Sequence, residues 1–321
     1  MAPETAGDPM GGAKWVRSSL RHLSERLGGL GHPASPPTVG RLLRKLDYSP
    51  KANRKEREAR GGHPDREAQF AHIEAEKRSH LAAGQPIVSV DTKKKELIGD
   101  FKNPGRVWCR AAAEVNVHDF RSDALGRAVP YGVYDLARNR GYVAVGTSAD
   151  TPEFAVAAIR AWWEDEGARG YPGADRLLIL ADGGGSNGYR PRLWKQQLQE
   201  QICDPFGLVV TVCHYPTGCS KWNPVEHRLF GPISVNWAGR PLRDWDVLLA
   251  CLRGTSTATG LAVAARLHDT AYAKGRTVSD QEMATLDLTP HEVCPRWNYT
   301  LRPRPPTTPP KPQAAEVILC G

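Results

Sequence analysis

The sequence lacks most features that mark secreted, disulfide-linked or membrane-spanning proteins. Its 321 residues include seven cysteines, which are scattered and form no Cys-x-x-Cys pair. This argues against a disulfide framework or a zinc knuckle and predicts free thiols in a reducing compartment. No apolar run approaches the ~18–20 residues of a membrane span, and the N-terminus has no charged-then-apolar signal. We therefore expect a cytoplasmic protein without a membrane partner.

Acidic residues are scarce relative to basic ones. The chain has 35 Asp and Glu against 43 Lys and Arg, a net charge of +8, and a pI near 9.2. The excess is concentrated in residues 41–60 and in Lys93-Lys94-Lys95. A basic surface is typical of proteins that bind nucleic acid, although a run of charge also occurs on ordinary solvated faces. The chain is long enough for one large domain and a smaller one.

The N-terminal part is predicted to be helical. Residues 1–13 are rich in Pro and Gly, and we predict that they are disordered. Apolar residues spaced by three and four predict a helix over residues 14–27, and Ser35-Pro36 is typical of a second helix start. Residues 14–48 therefore resemble a helix-turn-helix, although a plain helical hairpin fits the same pattern. In the first case, DNA would be contacted by the basic residues of the second helix, Arg41, Arg44 and Lys45.

The rest of the chain is predicted to form a larger α/β domain. Residues 49–84 are predicted to form a basic linker followed by a helix. Over residues 85–301, apolar strands alternate with helical segments, which predicts a mixed β-sheet flanked by helices. Residues 108–117 are predicted to be one of the extended stretches. Residues 302–321 are rich in Pro and are predicted to be a disordered tail.

Three acidic residues lie at the ends or starts of predicted elements. Asp91 ends the apolar stretch Pro-Ile-Val-Ser-Val-Asp, and Asp182 follows Leu-Leu-Ile-Leu-Ala and precedes three glycines. Glu226 occupies the third position of a helix that starts at Asn223-Pro224. Each acid has an alternative role. Asp91 could face solvent at a strand end, Asp182 could belong to an Asp-Gly turn, and Glu226 could be part of a capping box.

The combination of three acids favours a metal site. Carboxylates that lie close together raise one another's pKa values unless a cation holds them ionised. Mg²⁺ binds a few carboxylates together with waters and substrate phosphate oxygens. Two such ions ~3.5–4 Å apart can activate an attacking oxygen and stabilise a leaving one. In a basic protein, such a site predicts that nucleic acid is cut or joined.

The motifs around these acids resemble those of a known family. They are Asp91-Thr92-Lys93-Lys94-Lys95-Glu96, Leu180-Ala181-Asp182-Gly183-Gly184-Gly185-Ser186-Asn187, and His214-Tyr215-Pro216-Thr217-Gly218-Cys219-Ser220-Lys221-Trp222-Asn223-Pro224-Val225-Glu226-His227-Arg228. With them, roughly residues 14–303 resemble a DDE transposase of the insertion-sequence family known as the Rhodopirellula-type transposase DDE domain.

The resemblance implies a fold, a cofactor and a function. The fold would be RNase H-like, with Asp91, Asp182 and Glu226 as the catalytic and metal-binding residues. The cofactor would be Mg²⁺, replaceable by Mn²⁺, with two ions bound. The implied protein is a nucleoid-associated transposase of a bacterial insertion sequence. It would cleave double-stranded DNA at transposon ends, transfer the 3′-OH into target DNA, and form a homo-oligomer on DNA.

Two other functions stay open at this point. The short N-terminus would favour a catalytically silent DNA-binding remnant or repressor of the element. The same metal chemistry would serve an RNase H-like nuclease without strand transfer.

A set of polar and aromatic residues near the three acids could contact DNA, or could equally serve packing, capping or solvation. They are Lys93, Lys94, Lys95, Asn187, Lys221, Trp222, His227 and Arg228.

Overall fold

The computed structural model describes residues 5–7, 14–16, 18–49 and 63–305. The chain divides into two compact units, one ending at Ala59 and the other starting at Arg60. In the first unit, strands β1 (Thr5–Gly7) and β2 (Lys14–Val16) pair antiparallel. Helices α1 (Leu20–Gly29) and α2 (Pro36–Lys45) follow.

The first unit confirms two predicted helices and corrects where the first one begins. Ser19 caps α1 by accepting a hydrogen bond from the backbone of His22, so residues 14–16 precede the helix and form β2. Aromatic and β-branched residues favour strands, which explains why the Trp-Val pair at 15–16 is extended. Strand β1 likewise lies within the segment that was predicted to be disordered. Ser35 caps α2, as predicted, and accepts from the backbone of Thr38.

The second unit contains nine strands and several helices. Its strands are β3 (Ile87–Thr92), β4 (Glu96–Ile98), β5 (Gly126–Asp135), β6 (Arg140–Gly146), β7 (Arg176–Ala181), β8 (Val209–His214), β9 (Ala262–His268), β10 (Leu288–Pro290) and β11 (Asn298–Leu301). Its helices are α3 (Arg66–Ala82), α4 (Pro152–Trp162), α5 (Ala168–Gly170), α6 (Arg192–Leu198), α7 (Asp204–Phe206), α8 (Gly231–Asn236), α9 (Trp245–Arg253) and α10 (Asp280–Ala284). Short 3₁₀ turns at Arg121–Asp123 and Ser220–Trp222, and π-helical turns at Trp163–Gly167, Gln199–Cys203 and Glu226–Phe230, connect or extend these elements.

The nine strands form one mixed sheet. Its order is β10-β11-β8-β7-β3-β5-β6-β9, and β4 pairs with β5. Strand β5 runs antiparallel to both of its neighbours, β3 and β6, whereas β3, β7 and β8 run parallel. The central order β6-β5-β3-β7-β8, with helices on both faces, confirms the predicted RNase H-like mixed α/β fold.

Both faces of the sheet are covered by apolar side chains. On one face, Val90 and Tyr131 pack with Phe154 of α4. On the other face, Val143 packs with Phe230 and with residues of α9. Burying each large apolar side chain contributes about 1.5–3 kcal/mol, so the sheet is a rigid base for residues at its strand ends.

The structure also corrects one predicted strand and describes the chain a few residues past the predicted end of the large domain. Residues 108–117 lie in the connection between β4 and β5 and form no strand, and Trp108 is fully exposed. The order of the C-terminal part continues past residue 301, because Arg304 Nη2 lies 2.6 Å from Asp204 Oδ2. Most of the predicted linker (residues 50–62) and of the predicted tail (residues 306–321) lies outside the described residues. Within the described ranges, no helix is long and apolar enough to cross a membrane.

Candidate active site

Two of the three predicted acids lie side by side at the ends of adjacent parallel strands. In the register of β3 and β7, Ser89 pairs with Leu180 and Val90 with Ala181, so the next pair is Asp91 and Asp182. Neighbouring strands are about 4.8 Å apart, and residues at paired positions point to the same face. Both side chains are half-buried. Parallel pairing therefore brings together two acids that lie 91 positions apart in the sequence.

Backbone donors hold these two carboxylates in place. The backbone N–H of Thr92 donates to Asp91 Oδ1 at 2.7 Å. The N–H of Gly184 donates to Asp182 Oδ1 at 3.2 Å. Each bond leaves the second carboxylate oxygen available for another partner.

The third acid, Glu226, is brought to Asp91 by contacts between its helix start and β3. Ser89 Oγ donates to Asn223 Oδ1 at 2.5 Å and accepts from the backbone N–H of Val225 at 2.8 Å. Asn223 Nδ2 donates to the carbonyl oxygen of Val90 at 3.2 Å. The Asn223 side chain is therefore bound to β3 and does not form the capping box that was one alternative for Glu226. The Glu226 carboxyl instead lies close enough to Asp91 to raise the pKa of that residue.

A glycine allows the turn that carries Glu226 to approach the sheet. Gly132 of β5 pairs with Asp91. A Cβ atom built at this position would lie 2.4 Å from Cε1 of Phe230 and 3.1 Å from Cδ2 of Leu229. Both residues belong to the π-helical turn that begins with Glu226. A side chain at position 132 would therefore push this turn away from β3.

The environment of the three acids (the acidic triad) favours the protonated forms of Asp91 and Asp182 in the absence of a cation. Burial raises the pKa of Asp91 to about 8, and the charges of Asp182 and Glu226 add to this shift. Burial also raises the pKa of Asp182, with a further contribution from Glu226. Grouped carboxylates of this kind ionise fully only beside a positive charge. Near neutral pH the metal-free triad therefore retains a proton that a divalent cation would displace.

Several buried polar side chains near the triad have atoms without a partner. Among the described residues, Tyr131 Oη, Ser186 Oγ and both amide atoms of Asn187 have no hydrogen-bond partner of ordinary geometry. Asn187 nevertheless faces Asp182 closely enough to lower its pKa. Buried polar groups are nearly always satisfied, so unpaired ones point to water, an ion or a ligand. Hydrated Mg²⁺ would supply such partners, and the all-oxygen donor set of the triad fits it.

The triad is open and does not form a closed cage. Within the described part of the chain, one group of three ligand-type side chains has ligand atoms that all lie within 4.8 Å of one another, and it is His72, Glu76 and His291. The triad does not meet that limit. Because Mg²⁺ keeps several waters and binds substrate phosphates, this openness is compatible with magnesium and leaves room for a substrate.

The three predicted lysines after Asp91 have different environments. Lys93 is buried, its Nζ lies 3.2 Å from Glu96 Oε1, and it lies 4.4 Å from the centre of the Trp237 ring. Lys95 Nζ lies 3.0 Å from Asp150 Oδ2. Lys94 is exposed. Of the three, Lys94 is therefore the one whose charge is most available to a phosphate.

The other predicted contact residues divide in the same way. Asn187 is fully buried beside Asp182, whereas Lys221, Trp222, His227 and Arg228 are exposed. Lys221 Nζ lies 4.0 Å from the Trp222 ring centre, and Arg66 Cζ lies 5.1 Å from it. In the first unit, Arg41, Arg44 and Lys45 are all exposed on α2.

Comparison with known families identifies the domain. The sequence profile described as the Rhodopirellula transposase DDE domain matches residues 1–303. The chain belongs to this family. The sequence resemblance is thereby confirmed over nearly the whole chain, and the acidic triad lies in its DDE domain.

Solved structures similar to this DDE domain include complexes of Mos1 transposase. The Mos1 paired-end complex with the left transposon end is 14% identical with a TM-score of 0.40, covering 71% of this chain and 63% of the Mos1 chain. The Mos1 strand transfer complex is 14% identical with a TM-score of 0.41, covering 72% and 63%. A mariner Mos1 paired-end complex with Mg has the same identity and TM-score, covering 71% and 64%. This chain therefore spans less than two thirds of the length of those Mos1 chains. No curated protein matched it in sequence.

Sequence reasoning missed three residues of the DDE domain that lie near the triad or contact its neighbours in the sequence. Ser89 lies two positions before Asp91 on the same face of β3, and a serine within an apolar strand was the available signal. Tyr131 pairs with Thr92 across β3 and β5, and the charges of Asp91, Asp150 and Asp182 act on its hydroxyl. Asp150 accepts from Thr92 Oγ1 at 3.1 Å. No local pattern marked Tyr131 or Asp150.

Proposed function

We propose that this DDE-family protein is a transposase that cleaves DNA at transposon ends and joins the freed 3′-OH to target DNA. The observation that supports this most is the convergence of Asp91, Asp182 and Glu226 at the carboxyl ends of β3 and β7. Burial and mutual repulsion raise the pKa of Asp91 to about 8, which is typical of acids arranged to share a cation.

The acidic triad would hold the metal of the reaction. Its three carboxylates would bind two Mg²⁺ ions, which Mn²⁺ can replace, because hard oxygen ligands suit both cations. When bound, the metal lowers the pKa of the attacking water or hydroxyl and stabilises the leaving oxygen. Ser89 and Asn223 fix the start of the turn that carries Glu226. Asn187 and Ser186, whose buried polar atoms have no hydrogen-bond partner of ordinary geometry among the described residues, would bind metal-bound water or a phosphate oxygen.

Exposed basic and aromatic residues would bind DNA around this site. Lys94, Lys221 and Arg228 would contact phosphates, and Trp222, which stays partly exposed, would stack on a base. Arg41, Arg44 and Lys45 would contact DNA from α2 of the first unit.

Cutting two ends and joining them to one target requires both ends to be held together, so the DNA-bound form would be a homo-oligomer. Such a protein would associate with the nucleoid.

The proposed activity can be tested on a plasmid that carries the element with its terminal sequences. With Mg²⁺, wild-type protein should cut at both ends, and Asp182→Asn should reduce cutting at least about 1,000-fold, because the metal contributes several kcal/mol to the barrier. Asp175→Asn is the matched control, since Asp175 lies at the opposite end of β7 and its side chain is 69% exposed. Cutting by Asp182→Asn at the wild-type rate would contradict the proposal.

The products distinguish transposition from the two other functions. Junctions between element ends and a second plasmid indicate strand transfer, whereas nicked ends alone indicate a nuclease. Binding of the terminal sequences without any metal-dependent cutting would indicate a silent DNA-binding remnant.

A further inference from the structure

Helix α3 is attached to the sheet through both apolar and polar groups, and Ile73 and Phe70 supply the apolar contacts. The side of α3 that faces the sheet carries Gln69, Ile73 and His80, and only Ile73 of these is apolar. Gln69 is fully buried, donates to Asn298 Oδ1 at 2.7 Å and accepts from Asn298 Nδ2 at 2.6 Å. Ile73 packs against apolar residues of β3 and β7, and the polar contacts of Gln69 add a link from α3 to β8 and β11.

Two potential metal ligands lie on the same side of α3. His72 and Glu76 are four residues apart, so their side chains are neighbours on the helix surface. His291, which immediately follows β10, faces them, and its Nδ1 lies 2.9 Å from His72 Nε2. One ligand atom from each of the three residues lies within 4.8 Å of the others, and all three side chains are half-buried.

The remaining nitrogen of His291 is held by a neighbouring strand. His291 Nε2 lies 2.8 Å from Thr300 Oγ1 of β11, and Thr300 Oγ1 lies 3.1 Å from Thr211 Oγ1 of β8. This contact fixes the ring with Nδ1 directed at His72. Metal-binding histidines are typically oriented in this way by a hydrogen bond to their second nitrogen.

His80 borders the cluster, and its Nδ1 lies 2.9 Å from the backbone carbonyl oxygen of Glu76 and 3.7 Å from Glu76 Oε2. Burial lowers the pKa of His291, with Glu76 opposing this shift and His72 and Arg302 adding to it. The ring is therefore neutral near pH 7, which is the form that binds a metal.

We propose that His72, Glu76 and His291 (the His–Glu cluster) form a second metal site, which binds Zn²⁺ or a similar transition-metal ion and ties α3 to the segment that follows β10. Two imidazole nitrogens and one carboxylate oxygen are the ligands of such an ion, whereas Mg²⁺ prefers oxygen alone. A tetrahedral ion with ligand bonds of about 2.0–2.2 Å would replace the hydrogen bond between the two imidazoles and leave a fourth position for water.

The proposed site is independent of the acidic triad in ligand type and in residues. A metal bound there would crosslink positions that are 219 residues apart in the sequence. Ligands that bind only the folded state raise its stability with the logarithm of their concentration. The site therefore predicts stabilisation by zinc that does not depend on the catalytic acids.

The test is a titration of chelator-treated, full-length protein with Zn²⁺, followed by calorimetry and by the absorption spectrum of the Co²⁺-substituted form. Wild type should bind one ion at this site and give the intense visible bands of a tetrahedral site. Since loss of a residue that only supports a ligand costs about 10–100-fold in affinity, His72→Ala and Glu76→Gln should lose at least about 100-fold. Thr300→Val should lose about 10-fold.

Matched controls separate this site from general histidine binding and from the triad. His118→Ala and Glu74→Gln change exposed residues outside the cluster and should leave the affinity unchanged, as should Asp91→Asn. Thermal unfolding without zinc shows whether each variant is folded. Affinity that is unchanged in His72→Ala and Glu76→Gln, or that is lost in Asp91→Asn, would overturn the proposal. So would the absence of saturable Zn²⁺ binding to wild type.

Discussion

The acidic triad and the His–Glu cluster are both built where a helical segment meets the central sheet, but they differ in their ligand atoms and in their geometry. The triad offers six carboxylate oxygens in an open arrangement with a retained proton. The cluster offers two imidazoles and one carboxylate, with ligand atoms within 4.8 Å of one another. An open oxygen site suits a hydrated Mg²⁺ ion that must also bind a phosphate, and a compact site with two imidazoles suits Zn²⁺ or a similar transition-metal ion. One sheet can thus support two sites with different metal preferences.

The largest expected difference between the two sites comes from substituting one ligand in each of them. We expect Glu226→Gln to reduce Mg²⁺-dependent DNA cleavage at least about 1,000-fold without changing Zn²⁺ affinity. We expect His72→Ala to have the opposite effect, with cleavage close to wild type and Zn²⁺ binding lost. Parallel cleavage assays and calorimetric titrations check both variants. Loss of both properties in either variant would show that the two sites are not independent.

A smaller effect is expected from the residue that connects the triad to its supporting strand. Ser89→Ala removes the partner of Asn223 Oδ1 and of the Val225 N–H. Leaving such buried groups unpaired costs about 1–3 kcal/mol of stability, and misplacing a metal ligand costs about 10–100-fold in activity. Chemical denaturation and cleavage rates measure the two effects. Ser122→Ala, at an exposed position, is the control and should change neither.

The close approach of β5 to the π-helical turn can be tested by stability alone. Gly132→Ala places a methyl group against Phe230, and overpacking of this kind typically costs about 1–3 kcal/mol. A midpoint shift in urea unfolding would show this loss. Gly184→Ala is the control for stability, because a Cβ there meets nothing within 4 Å. An unchanged midpoint for Gly132→Ala would mean that the turn can move without cost.

The smallest expected effect is the dependence of stability on pH and Mg²⁺. The pKa of Asp91 is raised from 3.8 to about 8, so the folded, metal-free protein retains a proton that the unfolded chain has lost. Its stability should therefore fall as pH rises between these two values and level off above about 8. Mg²⁺ displaces this proton more easily at high pH, so it should raise the Tm by about 2–4 °C more at pH 8.5 than at pH 6. Thermal scans at both pH values check this. Equal Mg²⁺-induced Tm shifts at both pH values would contradict the assignment of a retained proton to Asp91. The Asp91→Asn variant should show no difference between the two pH values.

The acidic triad was predictable because its signal is local and its assembly follows from strand pairing. Asp91 and Asp182 each end an apolar strand, and parallel pairing of those strands places the two residues together. The position of Glu226 depends on contacts that the local pattern does not contain. Asn223 looked like a helix cap, but its side chain binds β3 through Ser89 and Val90.

Other features of the structure could not be read from local patterns. His72 and Glu76 are visible as a helical pair, but His291 approaches them only because β11 pairs with β8. Residues 108–117 have the composition of a strand but have no pairing partner, and Trp108 is exposed. The sheet, and the acids at the ends of its strands, can thus be predicted from the pattern of apolar residues in the sequence. The residues that support them, and the second cluster, depend on contacts between distant segments.

The most direct test that Asp182 binds the catalytic metal is to change one of its ligand atoms from oxygen to sulfur and to measure which metal then supports cleavage. Asp182→Cys replaces a hard oxygen with a softer sulfur, which disfavours Mg²⁺ and tolerates Mn²⁺. If Asp182 binds the catalytic metal, this variant should fail to cut transposon ends in Mg²⁺ and recover at least about 10-fold in Mn²⁺, whereas Asp182→Ala should stay inactive in both. Asp175→Cys should cut in either metal. Equal activity of Asp182→Cys in Mg²⁺ and Mn²⁺, at the wild-type level, would contradict the claim that Asp182 is a ligand of the catalytic metal.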